Sequence, residues 1–507
     1  MKNSLENLLG LSPEENPSDI IELGNLATPN DWFAEKFPAI AQQYGEAVLI
    51  KSNREVQRVA EISEDFFSAL LGEKGKPAAP AVYLSEERRF YSYDPAVGIY
   101  LERDKPQLAQ ELSKIMRKCA DECESHVDMK SLEFALSQTK RLNNVLERAK
   151  ASLRVPYDFF ANDLTEFVAC KNGMLRLQDR TLLPFNPSYR RRNKLGVDFV
   201  PDADCPIFKE SVLRSALTNQ DFDLFQRFFG LVLLGTNIAQ VLVLLIGKGG
   251  DGKGVCIRVI NGILGHGNVA SLRTKLLGSR FEMGGFLGRT LLYGADVPPD
   301  FLNNESSQML KSLTGGDPMT LELKGSNARP EITAQYNVVV TSNSDLRVRL
   351  DRDIEAWRRR LRIIRFTKPN FSNPIADLSE QILKTEASGV LNFMLDGLDR
   401  FRADGFVLKT TPEQQADVDR LLLSSQSHVC FLNEHIKQEP SRNLLLRLCF
   451  ERYWQFCVER SWTPLAHAEF AKVMAAAVQS SFDLALRHDI PDHNGKEQRG
   501  WKGIAFK

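Results

Sequence analysis

The segment GKGGDGKGV, which runs from Gly247 to Val255, has the residue types and the spacing of a phosphate-binding loop. Glycines let a backbone curl until successive N–H groups face a polyanion, and the helix that follows adds partial positive charge at its amino end. Lys253 supplies a full charge for the outer phosphates of a nucleotide. The alternative is a glycine turn in an unrelated α/β protein. We predict that a nucleotide is bound by Gly247, Gly249, Gly250, Asp251, Gly252, Lys253 and Gly254.

The loop departs from the usual pattern directly after its lysine. Ser or Thr ordinarily follows and helps to hold Mg²⁺, whereas this chain has Gly254 and then Val255. A metal ion here would rest more on water, on the nucleotide and on an acidic side chain from a neighbouring strand. The sequence therefore allows a working site, or one that binds a nucleotide with little hydrolysis.

Four short apolar segments predict the sheet that would position this loop. Helical patterns separate them, which is typical of a buried parallel sheet. Asp296 is the last residue of the second segment, and we predict that it is the Mg²⁺ ligand; a turn-capping Asp is the alternative. Asn343 is the last residue of the third and is placed to contact a γ-phosphate or an attacking water, while Asp300 and Glu305 are candidates for the base that polarises that water. The segments are QVLVLLIG, RTLLYGAD, YNVVVTSN and RLRIIRF.

The composition limits the number of domains and the ways in which the chain could contact a polyanion. The chain has 507 residues, of which 43% are hydrophobic, enough to fill the cores of several domains. Its 65 basic and 65 acidic residues balance, so contact with a polyanion must come from local patches.

The cysteines and the apolar segments indicate a location. The eight cysteines show no repeated spacing, which is typical of reduced intracellular thiols. Cys119, Cys123 and His126 lie close together, but no second ligand pair is nearby, so helical core residues are favoured over a zinc site. No segment has the length of a membrane span, and the first residues lack the pattern of a signal peptide. We expect a soluble cytoplasmic protein.

We predict a mixed α/β protein with five regions. The third contains the sheet, and in the fifth three helices precede a basic hairpin, which is the pattern of a winged helix. The regions are an N-terminal helical region at 1–84, a strand-and-helix region at 85–215, the nucleotide-binding region at 216–370, a helical linker or lid at 371–425 and a C-terminal region at 426–507.

Taken in order, several motifs resemble those of superfamily 3 helicases, particularly the D5-like and P4-like replication proteins of phages, plasmids and large DNA viruses. The motifs are GKGGDGKG, LLYGAD, LKSLTGGDPMTLELKGSN, VVVTSN and WRRRLRIIRF. The third is the most specific, because a generic phosphate-binding protein has no need of it. Residues 85–215 look like the D5 N-terminal helicase-associated domain, and residues 426–507 look like the winged helix of the same proteins.

The resemblance implies an AAA+-type P-loop ATPase that forms a hexameric ring, uses ATP and Mg²⁺, and moves 3′ to 5′ on single-stranded and forked DNA during replication. Lys253 matches the Walker A lysine, Asp296 the Walker B acid and Asn343 the sensor 1 asparagine. Arg359 and Arg360 both fit the arginine finger that completes a neighbouring subunit's site. A solvated basic face is the alternative for the arginines. A bacterial host cell is expected.

The same resemblance suggests where DNA binds. The segment PMTLELKGSNARPEIT predicts two short strands around a Gly-Ser-Asn turn, with Lys324 at the tip and Arg329 close by. In the family this hairpin grips the phosphate backbone inside the ring, which needs positive charge without base specificity. Solvated surface is the alternative for each further basic patch. These patches are Lys496, Arg499 and Lys502, with Trp501 available to pack or stack, and Arg190, Arg191, Arg192 and Lys194.

Other functions stand beside the replicative helicase. Gly254 favours a DNA-binding ring that hydrolyses ATP poorly. A combined primase-helicase is also considered, but the short N-terminal region shows no evident pair of metal-binding acids, so we expect any primase on a separate chain. The Gly-Lys-Gly order also occurs in adenylate-kinase-like loops, but the hairpin and the C-terminal region disfavour a small-molecule kinase.

Overall fold

The structure is a computed structural model, and it describes most of the chain from residue 28 to residue 507. Its described residues form helices and six sheets, in agreement with the predicted mixed α/β class. The described residues are 28–53, 56–72, 81–123, 127–128, 130–137, 139–160, 166–277, 282–298, 301–302, 304–322, 329, 331–346, 354–367, 377–460, 462–492 and 494–507.

The first structural unit packs helices on two small sheets. Its first helix begins where the Thr28 hydroxyl accepts a hydrogen bond from the Asp31 backbone N–H in a capping box. Phe33, Phe66 and Phe67 then meet edge to face in the core. The elements are α1 (Pro29–Lys36), α2 (Pro38–Tyr44), β1 (Val48–Asn53), β2 (Val56–Ile62), α3 (Glu64–Leu70), β3 (Ala81–Leu84), β4 (Arg89–Asp94), β5 (Ile99–Arg103), α4 (Lys105–Glu122), β6 (Val127–Asp128), α5 (Lys130–Ser137), α6 (Thr139–Ser152) and β7 (Arg154–Val155).

One hydrophobic core joins residues 32–71 to residues 81–153. In addition, β2 pairs with β6 in parallel, with Gln57 opposite Val127. The predicted border between residues 84 and 85 is therefore not a border between cores. The N-terminal region, predicted to be mostly helical, also contains an antiparallel pair, β1 and β2.

A third small sheet and a π-helix lead toward the central sheet. Glu386 fixes this segment to later helices, because its carboxylate accepts hydrogen bonds of 2.9 Å from the backbone N–H groups of both Ile207 and Phe208. The elements are β8 (Phe167–Cys170), β9 (Gly173–Arg176), β10 (Leu182–Leu183) and the π-helix Ile207–Arg214.

The following region carries the predicted nucleotide loop. It alternates strands and helices, as the apolar segments predicted. Its elements are α7 (Asn219–Val232), β11 (Leu242–Gly247), α8 (Lys253–Leu264), β12 (Val269–Ser271), β13 (Leu291–Gly294), α9 (Asn304–Gly315), β14 (Asp317–Thr320), β15 (Glu331–Ala334), β16 (Asn337–Ser342), α10 (Ile354–Arg360) and β17 (Leu361–Phe366).

Five of these strands form one parallel sheet in the spatial order β12, β13, β16, β11, β17. The four predicted strands are confirmed, and the three-residue β12 is an addition. Val243 and Leu245 enter the core on one face, while Leu244 and Ile246 enter the core on the other. Burial on both faces explains why the strand sequences are continuously apolar.

Because the strands are parallel, their ends define two edges of the sheet. We call the edge where the strands end the carboxyl edge; it includes Gly247, Gly294, Ser342 and Phe366. We call the opposite edge, where they begin, the amino edge. A ligand of an open parallel sheet ordinarily binds at the carboxyl edge.

The predicted hairpin is present as β14 and β15, which pair antiparallel with Asp317 opposite Ala334. It lies at the amino edge, since β15 is followed almost directly by β16 and the Gly316 N–H donates to the Ala334 carbonyl over 2.8 Å. The predicted tip residue Lys324 lies outside the described residues.

Three helices follow the sheet, in agreement with the helical pattern of residues 371–425. One of them crosses α7 closely, because a Cβ atom on Gly397 would lie only 2.0 Å from the Gln226 carbonyl oxygen. The helices are α11 (Leu378–Thr385), α12 (Ala387–Ala403) and α13 (Pro412–Ser425).

The C-terminal unit has its own core of three helices and a three-stranded sheet. The three predicted helices and the final hairpin are present, together with an additional strand, β18, after the first helix. Trp501 is fully buried in the core, so of the two predicted roles it packs and is not exposed to stack on DNA. The elements are α14 (Ser427–His435), β18 (Ile436–Leu445), α15 (Leu446–Glu459), α16 (His467–Phe482), β19 (Arg487–Pro491) and β20 (Glu497–Phe506).

In the described part of the chain, no helix has the length and apolar character needed to cross a bilayer. No three His, Cys, Asp or Glu side chains there are grouped to hold a metal ion. His126, one of the three residues weighed as zinc ligands, is not described.

Candidate nucleotide-binding site

The predicted loop connects β11 to α8 at the carboxyl edge. Gly250 and Gly252 have φ values of 81° and 94°, which side chains disfavour, so glycine is needed at both positions. Helix α8 begins at Lys253 directly after the second of these glycines. The loop therefore presents a helix amino end at the carboxyl edge, where backbone N–H groups stabilise an anion. The Lys253 N–H itself donates to Asp251 Oδ1 over 3.2 Å.

The Lys253 side chain is folded back over the loop. Its Nζ donates to the carbonyl oxygens of Gly247 and Lys248 at 2.8 and 3.0 Å and to Asp251 Oδ2 at 2.6 Å. The side chains of Lys253 and Asp251 are each only 5% exposed. The lysine is thus held in the cradle by an internal carboxylate, and a bound triphosphate would compete with that carboxylate for the same cation.

Asp251 also explains the first glycine of the loop. A Cβ atom on Gly247 would lie 2.0 Å from Asp251 Oδ2 and 2.7 Å from Phe366 Cβ, so no side chain fits there. At Gly249, by contrast, nothing would lie within 4 Å of such an atom. The middle of the loop is accessible, and its first residue is packed.

Asp296 and Asn343 meet at the same edge. Asn343 Nδ2 donates to Asp296 Oδ1 over 3.3 Å, and both side chains are exposed. Asn343 directly follows Ser342, which is opposite Ile246 in the pairing of β16 with β11. The structure therefore brings together the predicted acid, the predicted amide and the start of the loop.

The backbone of Asp296 is strained, with φ at 40° in the left-handed region. It is held there by Thr341, whose hydroxyl accepts a hydrogen bond of 2.9 Å from the Asp296 N–H. Strained residues of this kind concentrate at functional sites. Sequence reasoning missed Thr341, although a polar residue inside an otherwise apolar strand was the signal.

Tyr293 is a further member of the group formed by Asp296, Asn343 and Thr341. Burial raises the pKa of Tyr293, the hydrogen bond with Thr341 and the charge of Arg258 lower it, and the charge of Asp296 raises it. Tyr293 therefore lies within electrostatic reach of both an acid and a cation at this site. Neither Tyr293 nor Arg258 was predicted.

The two predicted finger arginines lie at the other edge. Helix α10 ends where β17 begins, and Leu361 is opposite Leu242 whereas Phe366 is opposite Gly247. The intervening strand length is roughly 17 Å at about 3.3 Å per residue. Arg359 and Arg360 are thus about one strand length from the loop of their own chain.

These two arginines differ in exposure. Arg359 is exposed, and no ion pair of its side chain occurs among the described residues. Arg360 is only 8% exposed and donates to the Ala356 carbonyl over 3.1 Å. The neighbouring Arg358 is tied to Asp419 over 2.7 Å. Of the three arginines, Arg359 is the exposed one, and its side chain is accessible to another molecule.

Two other arginines of β17 were not predicted. Burial lowers the pKa of Arg362 to about 10, and its guanidinium donates to the Leu408 carbonyl. Burial also lowers the pKa of Arg365, but hydrogen bonds to Asp417 and Asp345 outweigh this and raise it. Arg365 is opposite Ile246 and so lies at the carboxyl edge, already neutralised by two carboxylates.

The candidate bases are not placed. Asp300 is not described, and for Glu305 only the backbone, in α9, is described. The water-polarising group therefore stays a prediction.

The described DNA candidates are exposed. Arg329 lies 3.6 Å from Glu322, a weak surface pairing. Lys496, Arg499 and Lys502 are exposed on the final hairpin. Lys502 lies 3.8 Å from Asp489, and the backbone N–H of Lys496 donates to Asp492 over 2.9 Å.

Comparison with known families locates two regions. Residues 81–214 match a family described as D5 N terminal like. Residues 245–360 match a family of unknown function, DUF5906. This segment contains the loop and the predicted residues Asp296, Asn343, Arg359 and Arg360. The chain contains a D5 N-terminal-like domain.

Solved structures give a more distant similarity. The A form apo structure of the NrS-1 C-terminal region is 11% identical with a TM-score of 0.45, covering 84% of this chain and 97% of that one. Another apo structure of that region is 12% identical with a TM-score of 0.46, covering 84% and 96%. Similarity at this level supports no functional statement.

The basic patch at 190–194 lies within the D5 N-terminal-like domain, and most of its side chains have partners within the chain. Arg192 donates to Glu87 over 2.7 Å, and Lys194 donates to the Val97 carbonyl over 2.5 Å. Arg191 is 4% exposed. Of these four residues only Arg190 is exposed, so the patch as a whole has little charge to offer DNA.

A cavity of about 720 Å³ separates the D5 N-terminal-like domain from the hairpin at the amino edge. Its walls carry the acids Glu86, Glu87, Asp158 and Glu331 and the basic residues Arg192 and Arg289, so acids outnumber basic residues there. The cavity and the predicted nucleotide loop lie at opposite edges of the sheet.

Proposed function

We propose that this protein is an ATP-driven DNA helicase of the superfamily 3 type that works as a ring. The observation that carries the proposal is the division of the sheet. The loop, Asp296 and Asn343 lie together at the carboxyl edge, whereas the exposed Arg359 lies one strand length away at the amino edge. A site completed by that arginine needs a second copy of the chain.

The residues at the carboxyl edge fit a magnesium nucleotide. The loop N–H groups and Lys253 suit the phosphates, and the exposed carboxylate of Asp296 is an oxygen ligand of the kind that Mg²⁺ prefers. When bound, the ion would offset charge on the phosphates. Asn343 would orient the attacking water or the γ-phosphate, and Lys253 would exchange its contact with Asp251 for the phosphates.

DNA contact is proposed for the exposed basic residues. The hairpin with Lys324 and Arg329 would grip the backbone inside the ring, and Lys496, Arg499 and Lys502 would contact duplex at the fork. The order of three helices and three strands in residues 427–506 supports a winged helix. Such phosphate contacts bind without base specificity.

We also propose the biological process and the cell in which the protein acts. The D5 N-terminal-like domain and the motif order favour DNA replication in a phage, plasmid or other mobile element, in a bacterial cytoplasm. A hexamer is the expected assembly.

ATP hydrolysis by the full chain tests the proposal. We would measure turnover in Mg²⁺ with and without single-stranded DNA, for the unchanged protein, for Lys253→Ala and for Lys248→Ala. The last removes an exposed lysine from the same loop and leaves its carbonyl in place. Turnover that DNA stimulates and that only Lys253→Ala abolishes is expected, followed by unwinding of a fork. Normal unwinding by Lys253→Ala would refute the proposal.

A ring that binds ATP without efficient hydrolysis is the second candidate. It is favoured by Gly254, which has no hydroxyl, and by the buried Lys253–Asp251 ion pair. Tight ATP binding with no turnover above the Lys253→Ala blank would select it.

A further inference from the structure

The position of the missing loop hydroxyl is occupied from elsewhere in the helix. A Cβ atom on Gly254 would have one heavy-atom neighbour within 4 Å among those described, Arg258 Nη1 at 3.3 Å. Arg258 is one turn further along α8, so its side chain runs back toward the amino end of the helix. A guanidinium nitrogen thus lies close to where a serine side chain would be.

This arginine is anchored but not neutralised. Its Nε donates to Ser379 Oγ over 3.1 Å, and Ser379 is only 6% exposed at the start of α11. No ion pair to Arg258 occurs among the described residues, and the residue itself is exposed. A neutral hydroxyl therefore orients the guanidinium while its full charge stays available.

The charge of Arg258 also acts on a residue beside Asp296. Burial raises the pKa of Tyr293, the charge of Asp296 raises it further, and the charge of Arg258 lowers it. In a loop of the usual sequence, the residue after the lysine faces the Mg²⁺ that bridges the outer phosphates. Arg258 comes to the same place from the next turn.

We propose that Arg258 binds the β- and γ-phosphates of the nucleotide in place of the hydroxyl that Gly254 lacks. The inference rests on the proposed ATPase function and deepens it. Arginine donates to phosphate through a planar fork that the single hydroxyl does not have. Gly254 leaves room for the guanidinium of Arg258. The two residues together thus form an alternative phosphate site, and Gly254 is not the remnant of a lost motif.

Four variants test this arrangement: Arg258→Ala, Ser379→Ala, Gly254→Ser and the double variant Gly254→Ser with Arg258→Ala. Binding of fluorescent ATP and ADP analogues is measured for each, together with the Mg²⁺ concentration that gives half-maximal turnover. Arg447→Ala is the control, because Arg447 is an exposed helix arginine in the C-terminal unit. Lys253→Ala reports on the loop itself.

We expect Arg258→Ala to weaken ATP binding by about tenfold or more, with a smaller effect on ADP and a higher Mg²⁺ requirement. Ser379→Ala should have a smaller effect of the same kind, because the charge stays. Gly254→Ser should recover Mg²⁺ affinity in the Arg258→Ala background but not in the unchanged protein, where the arginine occupies the space.

The outcomes separate this inference from the function that it rests on. Equal ATP affinity and Mg²⁺ requirement in the unchanged and Arg258→Ala proteins, with ATP binding lost in Lys253→Ala, would overturn the role of Arg258 alone. Unaltered nucleotide binding in Lys253→Ala would instead overturn the proposed function. If Arg258→Ala melts at a lower temperature, Arg258→Gln takes its place, since glutamine keeps much of the length and a donor for Ser379 without the charge.

Discussion

The two edges of the central sheet differ in whether their charged side chains are paired within the chain. At the carboxyl edge, the side chains have partners within the chain: Lys253 contacts Asp251, Asp296 contacts Asn343, and Arg365 contacts two acids. At the amino edge, Arg359 is exposed with no described ion pair, and Arg329 has only a weak one. The charged side chains of the carboxyl edge are thus mostly paired within the chain, whereas the amino edge leaves Arg359 exposed.

The difference has a physical origin in the topology. Parallel strands bring the residues that follow them to a single edge, so residues far apart in sequence meet there. The helix before a strand, such as α10, necessarily ends at the opposite edge. An arginine on that helix is about a strand length from its own loop, and only an adjacent copy can bring it to a nucleotide.

The largest expected effect is the loss of Arg359. We expect Arg359→Ala to reduce turnover by about 10³-fold or more, in the range of arginine fingers in related chemistry. Mixing Arg359→Ala with Lys253→Ala, each inactive alone, should recover activity, because some sites then combine an intact loop with an intact neighbouring arginine. Hydrolysis is measured as a function of the mixing ratio.

Arg358→Ala is the matched control, because Arg358 is paired within the chain. Arg358→Ala alone should keep turnover close to that of the unchanged protein, because its loop and Arg359 stay intact. If Arg359→Ala alone turns over ATP normally, or if the mixture stays inactive while rings form, the amino edge does not complete a neighbour's site.

Removing the charge of Asp296 should have the next largest effect. Asp296→Asn keeps an oxygen that can accept from Asn343 but loses the charge that the metal ion requires, so we expect turnover to fall about 10²-fold while ATP still binds. Steady-state hydrolysis and equilibrium binding of an ATP analogue measure the two quantities separately.

Asp345→Asn is the control at the same edge, since this exposed carboxylate pairs with Arg365. Loss of a surface ion pair should leave turnover within about twofold. Equal turnover in Asp296→Asn and the unchanged protein would exclude Asp296 as the metal ligand.

Arg360 provides a smaller and different effect. Because Arg360 is buried and donates to the Ala356 carbonyl, Arg360→Ala should lower the free energy of unfolding by about 1–3 kcal/mol. Arg359→Ala should leave the melting temperature nearly unchanged. Thermal denaturation of both variants is the measurement, and equal melting temperatures would mean that Arg360 is not structural.

Much of the carboxyl edge could be predicted from sequence, because local patterns specify it. The glycine loop, the apolar strands and the polar residues that follow them are consecutive in the chain, and a parallel sheet brings them together. Asp296 and Asn343 were predicted on that basis, and the structure places them in contact. Their catalytic roles stay predictions.

Other features depend on packing that no local pattern records. Arg359 and Arg360 are neighbours of the same type, yet one is exposed and the other is buried. Trp501 lies among basic residues in the sequence but fills the core of the C-terminal unit. Arg258 was missed because the loop pattern ends at Gly254, whereas a long side chain one helical turn away reaches the same point.

The smallest expected effect concerns the C-terminal hairpin, where charge is exposed as it is at the amino edge. Lys496→Ala and Arg499→Ala together should leave ATP hydrolysis unchanged and weaken forked-DNA binding modestly. The sharper readout is the salt dependence, because removing one phosphate-binding charge reduces the slope of log affinity against log salt by about 0.9 for duplex DNA.

Lys437→Ala is the control for that measurement, because Lys437 lies on β18 of the same unit and pairs with Glu439 over 2.7 Å. A slope that falls for the double variant and not for Lys437→Ala would place duplex backbone against the hairpin. Equal slopes in all three proteins would confine DNA binding to the amino edge of the central sheet, since the exposed hairpin charges would then be solvated surface.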